Sequence, residues 1–287
     1  MKSIKGSLLV IISAISFGLM PVFAKIAYEN GSNNYTVLAL RFIFSSIVLL
    51  IYMSVKKVSM KISIKEFKYI LLITVFGYVV CSLSYFTSFE YITVGLSTML
   101  LYTHPALVVI FSAIIYKDKL NIKKIASIGI TTLGIYLLVD FRGAEFDLYG
   151  IVLATISSVT YCIYIIGLGT ETLKKVNSMV ITFYVCLVSA IVVSSFGLMN
   201  NQIIWSQNII TISCSFFLAI ISTLVAMLTF IEGAKIVGSS KAAIISTFEP
   251  VVSLVLAIIL FNEVITTSLA IGSTLIIISI IIYSTNS

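Results

Sequence analysis

The sequence predicts an all-α membrane protein whose ten transmembrane helices form two inverted repeats of five. Three observations lead to this fold class: the composition, the length of the apolar runs and a match between the two halves. Of the 287 residues, 60% are hydrophobic and only 10% are charged, whereas soluble domains carry about 25% charged residues. So few charges cannot cover a soluble surface, and the bilayer is therefore the expected solvent.

The apolar runs are separated by short polar breaks and approach or reach the roughly 20 residues that a spanning helix needs. They do not alternate in polarity as the strands of a membrane barrel do. The connectors are too short to form a soluble catalytic domain. The predicted spans are residues 6–28, 35–54, 69–89, 93–115, 124–140, 149–169, 178–199, 209–231, 240–261 and 267–284.

Lysine and arginine positions set the expected orientation. If the N-terminus is cytoplasmic, all but three of the 18 basic residues fall in cytoplasmic connectors. The exceptions are Lys25, Arg41 and Arg142. The first apolar run lacks an obvious cleavage site and is interpreted as a retained helix. We therefore expect a multi-pass protein of the cell membrane with both termini in the cytoplasm.

The two halves of the chain resemble each other at a nearly constant shift. Shifted by 144 positions, Gly6, Leu9, Ile12, Ser13 and Ser16-Phe17 meet Gly150, Leu153, Ile156, Ser157 and Thr160-Tyr161. Shifted by 145 positions, His104-Pro105 and Tyr116-Lys117-Asp118 meet Glu249-Pro250 and Phe261-Asn262-Glu263. Because each half holds an odd number of spans, the second half enters the membrane from the opposite side. We expect the repeats to cover residues 1–142 and 143–287.

Pro21, Pro105 and Pro250 all fall inside predicted spans. Proline removes a backbone donor and disturbs the carbonyl group four residues earlier. Such breaks form binding sites in transporters, although a simple kink is the alternative. His104, the only histidine, and Glu249, the only acidic residue well inside a predicted span, directly precede two of these prolines.

Ionisable side chains at membrane depth tend to face a cavity or a partner, because burying a charge in lipid is costly. His104 and Glu249 are therefore predicted to contact a substrate or a coupling proton, or else to form a hydrogen bond between helices. Lys25 and Arg41 lie near the ends of the first two spans. They either extend to the outer boundary of the membrane or line the outer mouth and attract anionic groups.

Tyrosines within the spans suggest a cavity for an organic solute rather than a bare ion, with ordinary packing as the alternative for each one. These tyrosines are Tyr78, Tyr85, Tyr102, Tyr161, Tyr164 and Tyr184. Gly129, Gly134 and Gly272 predict close contact between helices.

The four cysteines show no metal-ligand spacing and are interpreted as small buried side chains. They are Cys81, Cys162, Cys186 and Cys214. We therefore expect neither a metal site nor a cofactor.

Several motifs recur in a fixed order along the chain. The first repeat carries Phe17-Gly18, then Lys25, then Leu38-Ala39-Leu40-Arg41-Phe42. Pro105 and Pro250 are each followed by an acidic residue, Asp118 or Glu263, and then by a glycine, Gly129 or Gly272. In their order, spacing and duplication these motifs resemble the EamA family of the drug/metabolite transporter superfamily. The pairs Asp118-Lys119 and Glu263-Val264 depart from the Glu-Arg that is common in the family.

The resemblance implies a central cavity surrounded by helices one to four and six to nine, with helices five and ten as supports. It also implies the movement of small metabolites, including amino acids, often as export. By this resemblance the cavity candidates are Ser16, Met20, Tyr78, Tyr85, Tyr102, His104, Tyr161, Tyr164, Phe248 and Glu249.

We therefore expect a secondary active transporter of a small organic metabolite, with an amine-bearing or amino-acid-like solute favoured. Alternating access would be coupled to protons or would give facilitative export, since the sequence has no GxxxxGK[ST] loop for ATP. The alternatives are a membrane-embedded enzyme acting on a lipid-linked or acyl substrate, and a channel. The sequence lacks GxSxG, HExxH and a polar filter, so neither is favoured. The expected partners are the solute and the lipid bilayer, without nucleic acid, and a homodimer stays open.

Overall fold

The computed structural model describes residues 2–88, 90–92, 94–117, 122–138, 147–261 and 267–284. In these ranges the chain is helical and contains no strand, in agreement with the predicted all-α class. The helices of the first half are α1 (Lys2–Gly18), α2 (Met20–Glu29), α3 (Asn34–Val55), α4 (Ile64–Ile73), α5 (Val80–Ser88), α6 (Val94–Leu101), α7 (His104–Ile115) and α8 (Ile122–Leu138). Those of the second half are α9 (Leu148–Leu168), α10 (Glu171–Lys174), α11 (Ser178–Met199), α12 (Ile209–Ala219), α13 (Ala226–Val237), α14 (Ser239–Ser246), α15 (Glu249–Phe261) and α16 (Thr267–Ser284). Two π-helical segments, π1 (Thr74–Val79) and π2 (Ile220–Val225), connect α4 to α5 and α12 to α13.

Runs of these helices make the chain a multi-pass membrane protein. Within the described residues, eight runs are long and apolar enough to cross a bilayer. They are Ile4–Glu29, Asn34–Val55, Ile64–Ser88, Leu96–Ile115, Leu148–Leu168, Ser178–Met199, Ile209–Val237 and Ser239–Leu260. Two shorter apolar helices, Lys124–Leu138 and Ala270–Ile282, occupy the positions of the predicted fifth and tenth spans.

Three spanning runs are interrupted, each close to a proline. Helix α2 begins one residue before Pro21, α7 begins at His104 before Pro105, and α15 begins at Glu249 before Pro250. Proline has no N–H group to donate, and the first turn of a helix is where that group would lack a partner in any case. The chain therefore restarts a helix at each of the three positions.

Side-chain caps begin several helices at the ends of the bundle. The side chain of Asn33 accepts a hydrogen bond from the Thr36 amide at 2.9 Å. Ser63 and Glu66 form a capping box at the start of α4. Such caps satisfy amide groups that have no partner within the helix.

Some of the sequence predictions lie outside the described residues. They concern Asp118, Arg142, Glu263 and the predicted boundary at 142 and 143.

Glycine allows α8 and α16 to pack closely against each other. A Cβ atom on Gly134 would lie 2.8 Å from the Gly272 carbonyl oxygen, and one on Gly272 would lie 2.6 Å from the Gly134 carbonyl oxygen. Both distances are too short for a carbon atom, so these two positions require glycine. The prediction for Gly129 is wrong, because this residue lies on another face of α8, where an added Cβ would meet no atom within 4 Å.

We expect Gly134→Ala to destabilise the protein by about 1–3 kcal/mol, because the added methyl group would meet the Gly272 carbonyl oxygen and the Ile276 side chain, each at 2.8 Å. Gly129→Ala on the same helix is the matched control. It should be neutral or slightly stabilising, because alanine is a better helix former by about 1 kcal/mol. Thermal unfolding of the two purified variants in detergent measures the difference. Equal melting temperatures would contradict the observed α8–α16 contact.

Candidate functional site

A cavity of about 870 Å³ lies between helices from both halves of the chain. Its mouth is at the end of the bundle where α2 ends and α3 begins, since the exposed residues Lys25, Glu29 and Glu90 line it there. Its deeper wall contains His104, Glu249 and several tyrosines. Most of the lining is apolar, and its few ionisable groups are therefore conspicuous features of the site.

The structure brings many of the predicted site residues together in this lining and leaves others outside it. The predicted residues that line the cavity are Met20, Pro21, Lys25, Arg41, Tyr78, Tyr85, Tyr102, His104, Tyr161, Glu249 and Pro250. Those that are not in the lining are Ser16, Pro105, Tyr164, Tyr184 and Phe248. The Ser16 hydroxyl donates to the Ile12 carbonyl of its own helix at 2.9 Å. Phe248 packs beside Tyr102 in a small apolar cluster.

Sequence reasoning missed several lining residues, including Phe17, Tyr28, Cys81, Thr98 and Ser253. Helical spacing could have found two of them. Cys81 lies three residues after Tyr78 and four before Tyr85, and Thr98 lies four residues before Tyr102, so each shares a face with a predicted residue. Thr98 also bonds to the Tyr85 hydroxyl at 2.8 Å.

His104 compensates for a hydrogen bond that Pro105 cannot make. The Leu101 carbonyl would accept from residue 105 in a continuous helix, but the Nδ1 atom of His104 lies 3.0 Å from that oxygen instead. Since a carbonyl only accepts, Nδ1 must carry the hydrogen. In the neutral imidazole the Nε2 atom is then an acceptor, and this buried atom has no hydrogen-bond partner in the described part of the chain.

Glu249 occupies the corresponding position in the second half. Like His104, it is the first residue of a helix that restarts before a proline. Tyr102 lines the same cavity as Glu249. His104 also stands edge-on to Tyr161, with ring centroids 4.8 Å apart. The two ionisable groups are therefore both set among tyrosine side chains.

Tyr164 supports the aromatic wall from behind. Its ring lies 5.0 Å from that of Tyr78 and is stacked at 6.1 Å on that of Tyr161. Its hydroxyl is buried and has no hydrogen-bond partner among the described residues. Gly77 makes this arrangement possible, because a Cβ atom there would lie 2.9 Å from the Cβ of Tyr164.

Arg41 turns inward, and the interpretation that it extends to the lipid–water boundary is wrong. Its side chain is only 3% exposed. Its Nε donates to Thr223 Oγ1 at 2.5 Å, and its Nη2 donates to Tyr78 at 3.1 Å and to the Ser222 carbonyl at 3.2 Å. Neutral polar groups inside the bundle thus replace the water that a boundary position would offer. Lys25, in contrast, is exposed at the mouth.

The two π segments explain how these acceptors reach Arg41. They begin at Thr74 and Ile220, 146 positions apart, and so occupy nearly equivalent places in the two halves. A π turn shifts the hydrogen-bond register of a helix and frequently marks a functional position. Here π1 supplies Tyr78, and π2 supplies Ser222 and Thr223.

The opposite end of the bundle is closed by contacts to backbone carbonyl groups. The Tyr116 hydroxyl donates to the Ile166 carbonyl at 2.6 Å, and the Ser239 hydroxyl donates to that of Ile165 at 3.2 Å. Lys235 donates to the Val176 carbonyl and to the Ser178 hydroxyl. The cavity is therefore accessible from one end of the bundle and sealed at the other.

No group of three or more His, Cys, Asp or Glu side chains in the described ranges is arranged to hold a metal ion. The four cysteines are buried. Cys81 also lines the cavity. The polar groups of the site suit hydrogen bonding to an organic molecule.

These features define a multi-pass helical membrane protein with a cavity between two related halves. A family model described as the EamA-like transporter family matches residues 4–140 and 148–285. The chain belongs to this family, which is part of the drug/metabolite transporter superfamily.

Similar proteins of known sequence are also named as transporters. The chain is 23% identical over 280 residues to an uncharacterized transporter of Archaeoglobus fulgidus, covering 96% of this chain and 95% of that protein. It is 26% identical over 210 residues to the uncharacterized transporter YvbV of Bacillus subtilis, covering 69% and 65%. A crystal structure of a protein with 16% sequence identity has the same fold, with a TM-score of 0.85 over 98% of this chain and 99% of the other.

Thr223→Val should destabilise the protein by about 1.5–3 kcal/mol, because it removes an uncharged acceptor from a buried guanidinium. Thr229→Val is the matched control in the same run of helix, since the Thr229 hydroxyl bonds only to carbonyl groups of its own helix. Thermal unfolding in detergent should show a lower melting temperature for the Thr223 variant alone. Equal effects would mean that Thr223 does not stabilise Arg41.

Proposed function

We propose that the chain is a secondary active transporter that carries a small organic metabolite through the central cavity by alternating access. Membership of a transporter family supports this function. The observation that carries it is a cavity, open at one end and closed at the other, with broken helices from both halves at its deep wall. Helices broken near the membrane midplane are where transporters bind their solutes.

The proposed architecture has ten spans, five in residues 1–142 and five in residues 143–287, with α8 and α16 as the fifth and tenth. The nearly equivalent π segments and the corresponding positions of His104 and Glu249 support this division. Alternating access then requires one half to move against the other, so that the contacts of Tyr116, Ser239 and Lys235 open as the mouth closes.

The proposed solute is amine-bearing or amino-acid-like. Glu249 offers a carboxyl group and His104 an unpaired acceptor, and tyrosine rings suit the body of an organic molecule. The carboxyl group of Glu249 can also carry a coupling proton. Transport is thus either proton-coupled or facilitative, and the family resemblance favours export.

A metabolite panel on the purified protein tests this function. Solutes that raise the melting temperature are then tested for counterflow in liposomes at two pH values. We expect saturable counterflow of at least one amine-bearing solute. Chemical conversion of a solute by the protein, or ion conduction without saturation, would contradict the proposal.

Glu249→Gln should abolish transport or remove its pH dependence, because the amide keeps the size of the side chain but can neither carry a proton nor a negative charge. Glu232→Gln, at an exposed position of α13, is the matched control and should leave transport unchanged. Counterflow at the two pH values measures both effects. A Glu249→Gln protein with full, normally pH-dependent activity would exclude a coupling or binding role.

The proposed location is the cell membrane with both termini in the cytoplasm, and paired cysteines test the orientation. Ser59→Cys and Ser206→Cys are placed in exposed connectors at opposite ends of the bundle, in a background whose four native cysteines are replaced by serine. A membrane-impermeant maleimide should label Cys at 206 in intact cells and Cys at 59 only after permeabilisation. The reverse pattern would contradict the orientation.

A further inference from the structure

Arg41 places a positive charge inside the bundle, and no acidic side chain of the described residues forms a salt bridge with it. Its side chain is 3% exposed, and no acidic oxygen of the described residues lies within 4.0 Å of its nitrogen atoms. Buried charges in proteins are usually paired, because removing an ion from water costs several kcal/mol. The neutral groups around Arg41 satisfy hydrogen bonds but do not neutralise its charge.

The guanidinium group is also rigidly held and still has donors to offer. Nε and Nη2 are fixed by Thr223, Ser222 and Tyr78. Among the described residues, the one hydrogen-bond partner of Nη1 is the thioether sulfur of Met20, at 2.8 Å. A thioether is a weak acceptor, and Nη1 carries two hydrogens. Because both Arg41 and Met20 line the cavity, a carboxylate entering it can take the place of the sulfur.

Acceptors stand elsewhere in the same cavity, on helices that restart before prolines. His104 is only 1% exposed. Its Nε2 atom has no hydrogen-bond partner among the described residues. The Glu249 carboxyl lines the cavity with it. An ammonium group has three donors and a positive charge, and so it complements this pair. The cavity therefore presents a cation from α3 and acceptors from α7 and α15.

We propose that Arg41 is an anion subsite of the cavity, and that the solute is a zwitterion whose carboxylate binds Arg41 while its ammonium group binds Glu249 and His104. This inference rests on the proposed transport function and narrows its solute class. It assigns Arg41 a role in recognition that a purely structural residue would not have. The preorganised guanidinium gives the carboxylate a ready partner.

Matched compounds test the two ends of the solute separately. Alanine, leucine and phenylalanine are each compared with the decarboxylated amine and with the deaminated acid of the same skeleton. Binding to the purified full-length protein is measured by titrating each compound and following the melting temperature. We expect the zwitterion of at least one series to bind about tenfold or more tightly than both of its partners.

Variants then locate the carboxylate. Arg41→Gln should weaken binding of the zwitterion about ten- to a hundredfold and leave binding of the matched amine nearly unchanged. Arg41→Lys keeps the charge without the planar fork, so it should retain part of the preference for the zwitterion. Lys61→Gln, in an exposed connector away from the cavity, is the control for loss of a positive charge. If Arg41→Gln fails to fold, Arg41→Lys and the wild-type comparison still decide the result.

The outcomes separate this inference from the proposed function. Equal binding of zwitterion and amine by the wild-type protein overturns the anion subsite, while counterflow of an amine would leave the transport proposal standing. Equal binding of zwitterion and acid overturns the ammonium subsite. If no compound of the three series binds but another solute of the panel shows counterflow, the zwitterion proposal alone fails. If no solute shows counterflow, the transport function fails with it.

Discussion

Every backbone N–H and C=O group at the depth of the hydrocarbon layer needs a partner within the protein, because lipid offers none. A continuous helix meets this requirement by itself. The three prolines of this chain break it, since each leaves a carbonyl group without its usual donor. Such a carbonyl is tolerated only where it faces protein or a cavity. This constraint accounts for the position of the cavity and for the breaks before α2, α7 and α15. It also accounts for the residues that begin those helices.

The pair His104 and Pro105 shows how the repair of a break creates a chemically specific group. Proline frees the Leu101 carbonyl, His104 donates to it through Nδ1, and the other ring nitrogen is thereby left as an acceptor. In the second half the corresponding residue is Glu249, which brings a carboxyl group to the same cavity. One backbone feature, duplicated with the repeat, thus carries two different side-chain chemistries. The two halves share a fold but contribute different polar groups to the site.

Arg41 and the two π segments form contacts that connect the two halves of the bundle. An arginine side chain is too polar to be buried without several acceptors. The π turns provide them, since Tyr78 belongs to π1, and Ser222 and Thr223 belong to π2. The guanidinium therefore joins a helix of the first half to one of the second. If one half moved against the other, these contacts would have to change or move with it. Arg41 thus links the packing of the bundle to the cavity.

The all-helical class and eleven of the 29 residues that line the cavity could be predicted from the sequence. The composition and the apolar runs indicated membrane spans, and the prolines with His104 and Glu249 indicated the deep wall of the cavity. The sequence could not predict in this way that Arg41 turns inward or that Gly129 is exposed. It also could not predict that Ser16, Tyr164 and Phe248 lie outside the lining.

The sequence by itself determined which segments are helical and apolar, because composition and the absence of alternation decide this locally. Only the tertiary structure decided which face of each helix points inward. In a soluble protein the polar face of a helix points to water, so the sequence indicates which side points outward. A membrane helix offers no such contrast, because lipid is as apolar as the interior of the bundle. The inward face of an apolar helix therefore leaves a weak periodic signal. Arg41, Gly134 and the cavity tyrosines acquire their places through contacts between helices.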